Sequence, residues 1–275
     1  MLTRPIPRGA EALPVIGLGT YVGFDTSAGS AKYARLPGVL DALFGAGGSV
    51  LDSSPMYGQA EAAVGSLLGA QPRHGAFIAT KVWTRGGAAG IAQMQRSMAL
   101  LRTPRIDLMQ VHNLLDWKIH LATLRQWKDA GRIRYLGVTH YTASAHAELE
   151  AVLRNEALDF VQLNYSVADR AAEQRLLPLA QERGVAVIVN LPLGSGALLR
   201  SVQRAALPPL AAELECTSWA QLLLKFVIGH PAVTCAIPGT GDAAHMSDNA
   251  LAGRGPMPDA AARVRMAQCW NAAGV

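Results

Sequence analysis

Short apolar runs rich in β-branched residues alternate along this chain with longer stretches whose apolar positions recur at helical spacing. Strands are predicted for VIGLGT (15–20), SVLDSS (49–54), AFIATKV (76–82), RIDLMQVH (105–112), IRYLGVTH (133–140), FVQLNY (160–165), VAVIVN (185–190) and TCAIPG (234–239). Helical spacing runs through PGVLDALFGAG (37–47), AEAAVGSLLG, AAGIAQMQRSMALL, HLATLRQWKDAG, SAHAELEAVLRN, AEQRLLPLAQERG, SWAQLLLKFVIG and AAHMSDNALAG. Eight strands thus alternate strictly with eight helices. Parallel strands need helical crossovers, and a run such as AVIVN suits a sheet covered on both faces. Eight such units close into a (β/α)8 barrel, so the expected fold is an α/β TIM barrel forming a single domain over residues 1–275. The competing doubly wound sheet carries G-x-G-x-x-G after its first strand, whereas Gly17-Leu-Gly19-Thr-Tyr-Val-Gly23 is one residue too long for it. The longest connection, 191–217, contains Pro192, Pro208 and Pro209 and is expected to lie over a site.

Composition narrows the partners. Half of the residues are apolar and 16% are charged, which suits a large core and excludes disorder. The net charge of +5 permits an anionic ligand, but the basic residues are scattered and no run of five occurs, so no nucleic-acid partner is expected. Three cysteines, Cys216, Cys235 and Cys269, are too few and odd in number for a disulfide framework. With neither a signal-like segment nor an 18-residue apolar window, a cytoplasmic protein without membrane contact is expected.

In such a barrel the C-terminal strand ends share one face, and polar side chains there converge on a common site. Asp52, Lys81, His112, Thr139, His140, Gln162, Asn164, Tyr165 and Asn190 fall at predicted strand ends. Each has an ordinary alternative: an aspartate caps a helix, a histidine is satisfied in a core, a lysine snorkels from a rim. Their joint placement points to catalysis. Two glycine-containing loops, Leu193-Gly194-Ser195-Gly196 and Pro238-Gly239-Thr240-Gly241, follow the last two strands, where barrels frequently hold phosphate on backbone amides.

These residues resemble the aldo-keto reductases, NAD(P)H-dependent (β/α)8 enzymes. The resemblance runs through VIGLGTY, LDSSPMYGQAEAAVG, ATKV, RIDLMQVHN, GRIRYLGVTHY, FVQLNYS, GVAVIVNLPLGSG and IPGTGDAAHMSDN, and its most specific part is D-x-x-x-x-Y-G-x-x-E with a lysine and a histidine closing the next two strands. It implies a catalytic set of Asp52, Tyr57, Lys81 and His112. Carbonyl reduction needs a hydride at carbon and a proton at oxygen. Tyr57 would supply the proton, Lys81 would lower the phenol's pKa toward the working range, Asp52 would hold Lys81, and His112 would orient the substrate oxygen.

The implied cofactor is NADPH, with NADH as an alternative, and no metal is expected. The resemblance places Thr139, His140 and Gln162 around the nicotinamide carboxamide and Gly19, Thr20 and Tyr21 beside the cofactor's inner half. Leu193, Gly194, Ser195 and Gly196 would line the pyrophosphate; Ile237, Pro238, Gly239, Thr240, His245, Asp248 and Asn249 would hold the adenosine end. Asn190 stands where the family often has an aromatic stacked on the nicotinamide, and Gly239 and His245 stand where many members bind the 2′-phosphate with basic residues. Tyr21, Phe24, Trp83 and Trp117 are candidates for an apolar substrate rim, pointing to hydrophobic or aromatic aldehydes and ketones. Little follows the last predicted helix, and the brief tail RVRMAQCWNAAGV implies an open site. The small-molecule carbonyl is the expected partner of a monomer or weak homo-oligomer. Two alternatives are a Schiff-base aldolase using Lys81 and a cofactor-binding redox sensor or regulatory subunit.

Overall fold

The computed structural model describes residues 1–9, 11–70 and 75–273. A hairpin opens the chain, with β1 (Thr3–Pro5) antiparallel to β2 (Ala12–Pro14). The barrel strands are β3 (Leu18–Gly19), β4 (Val50–Asp52), β5 (Phe77–Val82), β6 (Ile106–His112), β7 (Ile133–Thr139), β8 (Phe160–Asn164), β9 (Ala186–Asn190) and β10 (Val233–Ala236). Around them lie α1 (Leu36–Gly45), α2 (Ala60–Ala70), α3 (Gly87–Leu100), α4 (Trp117–Asp129), α5 (His146–Asn155), α6 (Leu176–Glu182), α7 (Ala197–Ser201), α8 (Leu210–Glu213), α9 (Trp219–Ile228), α10 (Ala243–Leu251) and α11 (Ala260–Ala272).

The eight barrel strands pair in sequence order, all parallel, in a nearly closed barrel. Closure between β3 and β10 rests on two isolated bridges, Ile16 to Ala236 and Gly19 to Gly239, rather than on a continuous ladder. The glycines of the first strand permit this approach. A Cβ on Gly17 would lie 3.2 Å from Ile237 Cγ2, and one on Gly19 would lie 2.9 Å from the Ile237 carbonyl oxygen. The predicted strand 15–20 is therefore in place but joins the regular ladder over two residues.

Successive strand side chains point to opposite faces, and this sorts the core into two clusters. Ile78, Val82, Met109, Val111, Leu136 and Val138 belong to the larger cluster, which also contains buried helix residues. Phe77, Ala79, Leu108, Tyr135, Phe160, Ala186, Ile188 and Cys235 form the second, together with hairpin residues Ile6 and Leu13. Within it the Tyr135 and Phe160 rings meet edge to face at 5.5 Å. Two residues further along the inner faces of β4, β5, β6 and β8, the apolar filling gives way to the buried polar side chains Asp52, Lys81, Gln110 and Gln162.

Several boundaries differ from expectation for identifiable reasons. The hairpin escapes a strand search because its strands are three residues long and carry prolines. The predicted helix 172–184 is divided: Ala171–Gln174 is a 3-10 turn, and α6 starts at Leu176, which puts Pro178 in the first turn where its missing N–H costs nothing. The 191–217 connection is partly helical, with Leu198 and Leu210 buried. The supposed brief tail is largely helix. Asp259 caps α11 by accepting the Ala262 amide at 2.7 Å, and Met266 and Trp270 are buried, so the stretch is packed rather than a loose extension. The last two residues of that stretch lie outside the described residues. Among the described residues no helix is long and apolar enough to cross a membrane.

Candidate active site

Asp52 ends β4, Lys81 lies next to last in β5 and His112 ends β6, and parallel registration of these strands gathers them at one end of the barrel. Lys81 is completely buried, and its ammonium donates to Asp52 Oδ2 at 2.5 Å and to the Ser53 carbonyl at 2.8 Å. The same ammonium lies 5.0 Å from the Tyr57 ring centroid. His112 presents its edge to Tyr57 with ring centroids 6.0 Å apart. All four expected catalytic side chains therefore occupy one cluster.

The second oxygen of Asp52 is also held by hydrogen bonds. Gln162 Nε2 donates to Oδ1 at 2.9 Å and Gln110 Nε2 donates at 3.2 Å, with both glutamines buried inside the barrel. The sequence reading missed Gln110, although it lies two residues before His112 and so on the same strand face. It also passed over Ser54, whose Oγ lies 3.0 Å from His112 Nδ1.

The electrostatics follow from burial and this pairing. Burial opposes charge on Lys81, but the charge and hydrogen bond of Asp52, with Tyr57 adding, raise its pKa above the ordinary lysine value. His112 is pushed down to about 3, first by burial, then by the Lys81 charge and then by His140, so its imidazole is neutral at physiological pH. Tyr57 corrects one expectation. Lys81 does favour the phenolate, but burial outweighs it and the phenol's pKa is raised overall, so the proton is firmly held.

Around this cluster the other expected residues separate into two groups. Tyr21 lies beside Tyr57, with ring centroids 5.0 Å apart, and Trp83 lies 6.3 Å from the His112 ring; both are exposed at the mouth. A cavity of about 190 Å³ beside Tyr57 is lined by Tyr21, Val22, Asp25, Lys32, Met56 and Gly58. Phe24, in contrast, is not a rim residue. It is fully buried in the larger core cluster, because the turn bearing it is pressed against the loop after β10, where a Cβ on Gly23 would lie 2.7 Å from the Thr240 carbonyl oxygen. Trp117 begins α4, packs against the core and donates its indole N–H to Glu148 at 3.2 Å.

The residues expected around a nucleotide are partly engaged with one another. The Thr20 hydroxyl donates to the Asp52 carbonyl at 3.0 Å, and the Thr139 hydroxyl donates to Gln162 Oε1 at 3.2 Å. Asp248 accepts from Ser218 at 2.7 Å and from Gln221 at 2.6 Å, which ties α10 to α9. Asn249 is buried, while His245 follows Asp242, whose carboxylate accepts the Ala244 and His245 amides at the start of α10. Asn190 Nδ2 donates to the His140 carbonyl at 3.2 Å, which leaves its buried Oδ1 without a protein partner.

Three features fit a nucleotide at this face. One is the orphaned Asn190 acceptor beside His140. A second is the close-set backbone of Gly19 and Gly239, where a Cβ on Gly239 would lie 3.2 Å from the Gly19 carbonyl oxygen. The third is the consecutive left-handed run Gly194, Ser195 and Gly196, with φ of 55°, 53° and 81°, which turns successive backbone amides. Among the described residues no group of three or more His, Cys, Asp or Glu side chains is placed to hold a metal ion.

The parallel barrel thus gathers an acid, a phenol, an amine and an imidazole at one end. The sequence profile of the Aldo/keto reductase family matches residues 15–263, and the chain belongs to that family. It is 30% identical over 250 residues to Methylglyoxal reductase YeaE of Escherichia coli (strain K12), covering 88% of this chain and 86% of that protein. It is 29% identical over 189 residues to the NADH-specific methylglyoxal reductase of the same organism, covering 58% and 57% of the two chains. Among solved structures, an aldo/keto reductase from Klebsiella pneumoniae in complex with NADP and acetate superposes with a TM-score of 0.80 at 26% identity, over 94% of this chain and 92% of that one.

Proposed function

We propose that this protein reduces small aldehydes or ketones to alcohols with a nicotinamide cofactor, with Tyr57 as the general acid. The observation that carries the reading is the half-buried Tyr57 ring set against the buried Asp52–Lys81 ion pair, with neutral His112 beside it. A reduced nicotinamide, when bound, supplies the hydride that forms the new C–H bond at the carbonyl carbon. Tyr57 gives its proton to the carbonyl oxygen as the C=O π bond breaks, leaving a phenolate beside Lys81. The ammonium stabilises that phenolate, and Asp52 keeps the ammonium charged and in place. His112 contributes a hydrogen bond that orients the oxygen rather than a proton, because its imidazole is neutral.

Gly19, Asn190, Gly194, Ser195, Gly196, Gly239 and Thr240 are the residues best placed to hold the cofactor, with the Asn190 acceptor available to an amide donor. The exposed aromatic rings of Tyr21 and Trp83 offer an apolar rim, and the names of the two Escherichia coli relatives make 2-oxoaldehydes the first class to test. The aldolase alternative needs a neutral lysine amine. Lys81 does not support it, being ion-paired, completely buried and raised in pKa. The test follows absorbance of NADPH and NADH separately against aldehydes, ketones and 2-oxoaldehydes. Turnover is expected in the native protein and a loss of at least about a hundredfold in Tyr57→Phe, with cofactor binding kept. Full activity in the variant removes Tyr57 from this role.

A further inference from the structure

Ser54 occupies a position that the D-x-x-x-x-Y-G-x-x-E motif leaves open, two residues after Asp52. Its side chain is completely buried, and its Oγ stands 3.0 Å from Nδ1 of the buried His112. The Met56 amide donates to the same oxygen at 3.4 Å, so one lone pair of the hydroxyl already serves as an acceptor. A buried hydroxyl still has its own proton to place, and an unplaced donor is costly. Among the described residues, His112 Nδ1 is the acceptor within its reach.

We infer that Ser54 is a positioning residue: its hydroxyl donates to His112 Nδ1 and thereby holds the ring as the tautomer that carries its proton on Nε2. A nitrogen that accepts a hydrogen bond presents its lone pair, so the single proton of a neutral imidazole must sit on the other one. Burial and the Lys81 charge keep the ring neutral, which makes the choice of tautomer decisive. Nε2 has no hydrogen bond to a protein group among the described residues, and the ring is flanked by Tyr57 and Trp83. In this form Nε2 offers an N–H to a carbonyl oxygen. In the opposite form it would set a lone pair against the oxygen's own lone pairs.

The catalytic consequence rests on the reductase reading; the tautomer itself does not. Histidine labelled with nitrogen-15 is examined by long-range proton–nitrogen correlation in the full chain, with His112 assigned by the signals lost in His112→Asn. Nε2 couples to both ring protons and Nδ1 mainly to one, which identifies each nitrogen. A protonated-type shift at Nε2 and an unprotonated one at Nδ1 are expected, moving toward an average in Ser54→Ala. In the same variant kcat/KM for the carbonyl should fall about tenfold, the scale of one neutral hydrogen bond, with cofactor affinity unchanged. A proton on Nδ1 in the native protein, or spectra identical in Ser54→Ala, overturns the inference. The expected spectra in a protein that reduces no carbonyl uphold the tautomer and overturn the reductase reading.

Discussion

The neutral state of His112 has a measurable consequence for stability in acid. An ordinary histidine titrates near 6.5, whereas burial, Lys81 and His140 hold His112 at about 3 in the fold. The unfolded chain therefore takes up a proton at this site before the folded one does. For a group depressed on folding, the stabilising contribution is complete above the unfolded value and is lost as pH falls through the folded one, a window here from about 6.5 down to about 3. By this linkage the group alone removes about 3 kcal/mol between pH 8 and pH 4, a sizeable part of the roughly 5–15 kcal/mol that holds a domain folded.

The perturbation that isolates this effect is His112→Asn, which removes the titration while keeping a polar side chain of similar reach. Urea unfolding of both proteins at pH 8, 6, 5 and 4 gives two stability curves, and carboxylates that titrate in both cancel in their difference. The native protein should lose about 3 kcal/mol more than the variant across that range. Parallel curves would refute the argument, because they would mean that His112 takes up its proton equally well in both states. The reductase reading adds a kinetic corollary: no acidic limb near pH 6.5 arises from His112 in the turnover of the native protein.

Three further outcomes are expected. Lys81→Met leaves the Asp52 carboxylate buried without its counter-charge, so unfolding measurements should show a loss of about 3–5 kcal/mol, and spectroscopic titration should find the Tyr57 phenol still higher than in the native protein. Gln110→Leu removes one of the two donors on Asp52 Oδ1 and should destabilise by about 1–3 kcal/mol in the same assay; no change would show that this amide is dispensable. His245→Arg should tighten NADPH more than NADH in a fluorescence titration, and equal effects on both would place residue 245 away from the 2′-phosphate.

The barrel was readable because parallel strands buried on both faces must be apolar at nearly every position, as in AVIVN, and because helices must intervene. The cluster of Asp52, Tyr57, Lys81 and His112 was readable because charged and phenolic groups at the ends of such strands stand out against that background. What the sequence hid has equally physical causes. Gln110 and Ser54 are uncharged and resemble ordinary strand and loop residues, although Gln110 shares a strand face with His112 and Ser54 follows Asp52 by two positions. Phe24 was misplaced because nearness to a strand end in sequence does not reveal that the turn folds back onto the loop after β10. The helix at Ala260–Ala272 is rich in alanine and arginine with little apolar periodicity, so its burial of Met266 and Trp270 depends on partners far away in sequence.

The joint between β3 and β10 has a mechanical meaning. Elsewhere neighbouring strands share a ladder, but this joint is secured by two bridges and the close fit of a few glycines. Local breathing that parts the cylinder would begin along this line, and amides of residues 15–19 would exchange with solvent ahead of those in β6 and β7. The loops flanking the gap are also among those proposed to hold the nucleotide, so occupancy would stitch the wall shut, and slower exchange there would report binding at a distance from the chemistry.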